Sequence, residues 1–265
     1  MKSITLAVVA ALLLPGCEEP LTLRQICDEK AKLCTGLGDS NDGHCKNERV
    51  AVIYNRYYEA KLPSDKNRYK LLMKVEKYSK CMALASQIEH IKLKGKQTVR
   101  VNGYLTSLKD IKRLSDVTVL SDYPPLLYYH WTRNGSKKAL TKFLRLEGSK
   151  ELNTPELTYG LATYYIKRDL PKTIQLLYKT LGLYKEDEPV NQEIYISLSS
   201  IFFKQEKFSS AYLWAKIATL NGAENVHLEE LRFEIANQGK TTGALDRLAE
   251  DTYSSILKGK FVEPK

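Results

Sequence analysis

Several kinds of chemistry are closed to this chain by what it has little of. It carries only four histidines, His44, His90, His130 and His227. They are scattered and never form an H-E-x-x-H pair, so no helix face offers two imidazoles at zinc-binding spacing. A G-x-S-x-G nucleophile elbow is missing as well. Gly239-Lys240-Thr241 matches the end of a phosphate-binding loop, but Glu234 stands where that loop needs its first glycine. No strand pattern precedes it, so it reads as a turn between helices. The longest apolar stretch, Ile4 to Leu14, is interrupted by Thr5 and falls short of the ~20 residues of a membrane-spanning helix. No residue stands out as a catalyst, no cofactor or metal is implied, and a non-enzymatic protein is the expectation.

What is present is an ordinary globular composition: 265 residues, 43% hydrophobic and 27% charged, enough to bury a substantial core. The net charge of +10 is unevenly spread. From Cys17 to Lys150 there are 26 Lys and Arg against 15 Asp and Glu; from Glu151 onward there are 14 against 16. The basic character belongs to the amino-terminal half.

Met1-Lys2-Ser3, the apolar run and Pro15-Gly16-Cys17 have the order of a secretory signal. Leu14-Pro15-Gly16-Cys17 resembles the bacterial lipobox. The resemblance implies removal of residues 1–16, lipidation of Cys17 and a membrane held through that lipid anchor. Glu18, where Asp would signal inner-membrane retention, implies the outer membrane, facing the periplasm. The plainer alternative is ordinary signal cleavage nearby, with Cys17 an unmodified thiol. Export also argues against nucleic acid as a partner.

Four further cysteines, Cys27, Cys34, Cys45 and Cys81, read as two disulfides in an oxidising compartment. On one unbroken helix Cys27 and Cys34 would lie ~10 Å apart, beyond disulfide reach. The favoured pairing is therefore Cys34 with Cys45 and Cys27 with Cys81. A structural zinc site is disfavoured because no C-x₂₋₄-C pair is present. The loop Asp39-Ser40-Asn41-Asp42-Gly43 fails as a calcium site, since Gly38 and Arg49 would occupy the acidic end positions, and it reads as a solvated turn.

Helices are expected over 47–60 and, after Pro63 and the cap Ser64, from Asp65 to about His90. Gln97 to Tyr104, with its Asn102-Gly103 turn signal, suggests a small hairpin or a link into a helix from Leu105. Between Lys61 and Arg113 fall 14 basic and four acidic residues. That segment is either a patch for an anionic envelope lipid or glycan, or a solvated helix face. Tyr123-Pro124-Pro125 marks a boundary, which gives a basic region 17–122 and a second region 123–265.

The second region repeats one plan: a helix, a short polar turn and a second helix with a small residue near its start. Ala139, Thr173, Ala211 and Ala244 occupy that place, at intervals of 34, 38 and 33 residues. Leu198, Ser199, Phe202, Phe208, Ala211 and Ala218 in the best copy resemble the tetratricopeptide repeat. The resemblance implies an all-α solenoid of stacked helical hairpins whose inner face binds a protein. On that alignment Trp131, Tyr165 and Phe203 fall at equivalent inward positions, with Tyr128, Lys204 and Arg232 nearby. They form either a partner-binding groove or packing between repeats. Ile26-Cys27, Leu33-Cys34, Tyr78 to Ile88 with Cys81, Leu126 to Thr132 and Tyr212 to Ala215 are similar to an uncharacterised lipoprotein family of gammaproteobacteria. That likeness implies no activity. The functional expectation is an outer-membrane-anchored, periplasmic protein-binding scaffold, with an anionic lipid or glycan binder as the alternative.

Overall fold

Side-chain oxygens able to cap helices recur along this chain, and the computed structural model starts helices where they fall. Thr22, Ser64, Ser136, Thr154 and Asp169 each accept a backbone N–H from the first turn of a helix. The structure describes residues 21–39, 41–89, 94–224 and 226–264; Cys17 and its flanking segment lie outside them. Among the described residues all regular structure is helical, and no helix is long and apolar enough to cross a membrane. The chain divides between Thr118 and Val119 into two units, four residues ahead of the Tyr123-Pro124-Pro125 boundary.

The first unit contains α1 (Leu23–Glu29), a 3-10 turn (Ala31–Leu33), α2 (Lys46–Lys61), α3 (Asp65–Ala85) and α4 (Lys94–Thr118). Helix α3 packs against both α2 and α4 and buries Leu71, Leu72, Val75, Tyr78 and Met82. It stops at Ala85, short of the expected His90, so Ile88 lies outside the helix and is exposed. The segment 97–104 lies wholly inside α4, and neither the hairpin nor the link exists. Gly103 is there for close approach instead of a turn. A Cβ at that position would lie 2.9 Å from both Met82 Cε and Tyr78 Oη on α3.

The disulfides are Cys27–Cys34 and Cys45–Cys81, not the pairing inferred from spacing. That inference assumed a continuous helix. Instead α1 ends at Glu29, Lys30 leaves the helical region and the 3-10 turn folds the chain back. The Cα atoms of Cys27 and Cys34 therefore lie 5.7 Å apart. Cys45, at the start of α2, faces Cys81 on α3. Its loop spans 36 residues against seven for the other bond. On loop entropy the longer bridge contributes about 4 kcal/mol and the shorter about 2.5 kcal/mol.

The loop between Thr35 and His44 is exposed at Asp39, Asn41 and Gly43, as a solvated turn would be, but it is anchored inward at Leu37 and Asp42. Leu37 is 1% exposed, and its carbonyl accepts the Tyr78 hydroxyl proton. Burial pushes the Tyr78 phenol up to about 12. Asp42 is buried against Arg100, itself 1% exposed, which donates Nε at 2.6 Å and Nη2 at 3.1 Å to the two carboxylate oxygens. Arg100 Nη1 also donates to the Ala85 carbonyl at 3.1 Å, and Arg49 donates to the Asp39 and Asp42 carbonyls. This ion pair pins the loop to the end of α3 and the start of α4.

The second unit contains α5 (Pro124–Asn134), α6 (Lys137–Arg145), a 3-10 turn (Lys150–Leu152), α7 (Pro155–Tyr165), α8 (Leu170–Leu181), α9 (Glu193–Lys204), α10 (Phe208–Leu220), α11 (Leu228–Asn237) and α12 (Gly243–Leu257). Helices α5 and α6, α7 and α8, and α9 and α10 pack as consecutive pairs. Ala139, Thr173 and Ala211 are buried at the start of each second helix, as expected. The final copy departs from the pattern. Ala244 is exposed at the second position of α12, and the buried face runs through Ala249, Thr252 and Ile256. Its register thus begins at Leu245, one residue later than the spacing suggested. Helix α12 packs against α10 rather than tightly against α11.

Arg100 holds the Asp42 carboxyl far below the usual carboxylate range against the opposing effect of burial. A carboxylate whose pKa is depressed on folding adds stability above its unfolded value of 3.8 and loses it as pH falls below that. Denaturant unfolding should therefore show stability that is flat near neutrality and falls below about pH 4. Asp42→Asn should weaken that acid dependence. It should also cost roughly 3–5 kcal/mol at neutral pH, because Arg100 stays buried without its counter-charge.

Candidate functional site

Helix α10 is the inner helix of the second unit, and small residues line the side it turns to α9 and α11. Ala211, Ala215 and Ala218 are fully buried. On α9, Ser199 and Ser200 face the same space, and the Ser199 hydroxyl donates to the Ala211 carbonyl at 3.0 Å. Where these small residues face one another, a cleft of about 320 Å³ remains between α9, α10 and α11. Its floor is Ala215, Ala218 and Leu231, and its walls are Ile196, Phe203 and Val226. The rim carries Lys204, Glu224, His227 and Glu230, all exposed. Phe203 is 39% exposed, and its ring meets Phe208 edge-on at 5.7 Å. Such a cleft can take an apolar side chain and orient it through rim charges of both signs. Among the described residues no group of three His, Cys, Asp or Glu could hold a metal ion.

Of the six residues singled out by repeat alignment, the structure brings two to this cleft, Phe203 and Lys204. The rings of Tyr128 and Trp131 lie tilted against Phe143 at 5.8 Å each, and Trp131 also meets Tyr164 at 5.9 Å. Both pack on the hydrophobic cluster of α5, α6 and α7. Tyr165 donates its hydroxyl to Glu147 at 2.6 Å and lies 3.8 Å beneath the Lys172 ammonium, which is itself paired with Glu147. Burial would raise the Glu147 carboxyl, but hydrogen bonds from Lys172 and Tyr165 outweigh it and leave it below its ordinary value. Arg232 donates Nε to the Tyr212 hydroxyl at 3.3 Å and Nη1 to Glu229 at 2.6 Å. The Tyr212 hydroxyl in turn donates a hydrogen bond to Asp246 Oδ1 at 2.8 Å, so this chain of bonds ties α11 and α12 to α10. Ser200, Glu224, His227 and Glu230 were not anticipated. The small residues at 199, 200, 215 and 218 were the readable signal for a gap, whereas nothing in the spacing placed Glu224 to Glu230 opposite α9.

The model of a family described as Protein of unknown function (DUF2989) matches residues 14–216. The chain belongs to this family. The match takes in the first unit and the second as far as Lys216, so the α9 wall of the cleft lies inside it and α11 beyond it. Comparisons with curated proteins and with solved structures each found no match.

The place of Tyr128 can be checked directly. A Cβ at Gly160 would come within 2.5 Å of the Tyr128 ring. Gly160→Ala should therefore destabilise the protein by about 1–3 kcal/mol in denaturant unfolding. In a Tyr128→Ala background the same change should be neutral or stabilising, because alanine favours helix by ~1 kcal/mol over glycine. Equal costs in both backgrounds would show that the ring does not fill this contact.

Proposed function

We propose that this protein is a lipid-anchored scaffold of the bacterial cell envelope. In this reading it works without catalysis and holds an envelope protein in the cleft between α9, α10 and α11. The lipobox-like Leu14-Pro15-Gly16-Cys17 supports anchoring, with Glu18 favouring the outer membrane and a periplasmic orientation. Two disulfides suit that oxidising compartment. The paired helices of the second unit and their buried small residues support kinship with tetratricopeptide-like solenoids, whose inner faces bind extended or helical segments.

The observation that carries the reading is the cleft itself. It has an apolar floor, an exposed Phe203 on one wall and a rim of Lys204, Glu224, His227 and Glu230. Apolar depth supplies affinity, and the two glutamates favour a partner segment with a basic residue beside its apolar anchor.

Ser200 lines the cleft and is exposed, so Ser200→Trp should fill the cleft without disturbing the core. Immobilised native chain should enrich a discrete protein from an envelope extract. Ser200→Trp should reduce that recovery at least tenfold, and Glu230→Lys should reduce it less, with thermal unfolding unchanged in both. Equal recovery by all three chains would exclude the cleft as the binding site.

A further inference from the structure

Helix α3 offers a second surface, independent of the cleft. At 3.6 residues per turn, Lys66, Lys70, Met73, Lys77, Lys80 and Leu84 fall within an arc of about 80°. The four lysines are exposed and Leu84 is 70% exposed, while the opposite face of α3 forms the core with α2 and α4. The row is about 27 Å long at 1.5 Å per residue. None of the four lysines joins an ion pair or hydrogen bond among the described residues. The acids closest in sequence are turned elsewhere: Glu59 and Asp65 are taken by Arg68, and Glu76 is half-buried with a partner of its own. The arc holds cations and apolar groups with no acid among them.

We infer that this face of α3 docks on an anionic lipid bilayer surface. A solvated helix face has no need to exclude acids, and interleaved charges of both signs would keep it soluble equally well. A linear polyanion would match the lysines but leave Leu84, and Ile88 just beyond the helix end, without a use. A bilayer accommodates both. The ammonium groups sit among headgroup phosphates at the ends of flexible stems, and the leucine and isoleucine enter the acyl boundary. Each lysine near such a surface contributes about fivefold to the partition constant, so four together give roughly 10²- to 10³-fold. Among the described residues no helix is long and apolar enough to cross a membrane, and the contact of this face is peripheral and salt-sensitive.

Vesicle sedimentation tests this with the chain freed of residues 1–16 and carrying Cys17→Ser, so that neither the apolar run Ile4 to Leu14 nor an acyl group contributes. Vesicles of phosphatidylcholine alone are compared with vesicles containing a minority of phosphatidylglycerol. The expected result is binding to the anionic vesicles that falls with added salt and drops at least tenfold in Lys66→Gln/Lys70→Gln/Lys77→Gln/Lys80→Gln. The charge-matched control Lys137→Gln/Lys138→Gln/Lys150→Gln/Lys179→Gln, all exposed positions of the second unit, should retain it. Leu84→Ser should weaken vesicle binding severalfold and leave binding to soluble polygalacturonate unchanged. Equal losses in both quadruple variants would reduce the effect to net charge and overturn the proposal. So would equal binding to neutral vesicles. Polygalacturonate bound as tightly as the vesicles, with Leu84→Ser altering neither, would make the face a polyanion site instead.

Discussion

The second unit depends on how closely other helices approach α10. Ala211, Ala215 and Ala218 leave its surface low enough for α9 and α11 to come near, while Tyr212 and Trp214 on other sides fix what remains. Trp214 stacks on Tyr195 with an interplanar angle of 12° and meets Tyr178 at 5.5 Å and Phe261 at 6.3 Å. Phe261 lies beyond α12, so the end of the chain turns back over α8 and α10. The backbone there approaches so closely that a Cβ at Gly259 would lie 2.8 Å from the Glu186 nitrogen. Asp187 N–H also donates to the Leu257 carbonyl at 3.2 Å. One side of α10 is thereby closed by large aromatic rings and returning chain. The other, lined by alanine and serine, is left as a cleft. The cleft is a consequence of which side carries the small residues.

The first unit meets its stability requirement differently. It relies on two disulfides and on a desolvated ion pair between Asp42 and Arg100. Such a pair gives little net stability over an apolar replacement, yet it holds one loop in one place. Cys45–Cys81 ties that loop's end to α3, and Arg49 and Tyr78 take its carbonyls. The outward side of α3 carries the four exposed lysines, which have no ion-pair partner among the described residues.

Most helices were legible because their signals are local. Ser64 announced one start through chemistry within one turn; Ser136, Thr154 and Asp169 cap helices in the same local way, and Pro124, Pro155 and Pro171 sit where a missing N–H costs nothing. What was missed depended on contacts between distant residues. Asn102-Gly103 has the local signature of a turn, but α4 uses that glycine to lie against Tyr78 and Met82. The pairing of Cys27 with Cys34 turned on whether α1 continued past Glu29, which the unusual backbone at Lys30 decides. Asp42 looked solvated because its partner Arg100 lies far along the chain. In the candidate site, Phe203 and Lys204 were found by repeat spacing. The same spacing also selected Trp131, Tyr128 and Tyr165, whose neighbours Phe143, Gly160 and Glu147 lie on other helices. The opposing rim of Glu224, His227 and Glu230 lies on α11 and the segment leading into it, which no repeat pattern placed across from α9.

If the cleft is the working surface, contact with a partner must be local to it. Photoreactive residues placed singly at Ser200 on its α9 side and Glu230 on its α11 side, the two walls of this test, and at Thr141, exposed on α6, distinguish the possibilities in the cells that make the protein. The account predicts one discrete protein adduct from both cleft positions and none from Thr141. Adducts of equal yield from all three positions, or none from the two walls, would contradict it.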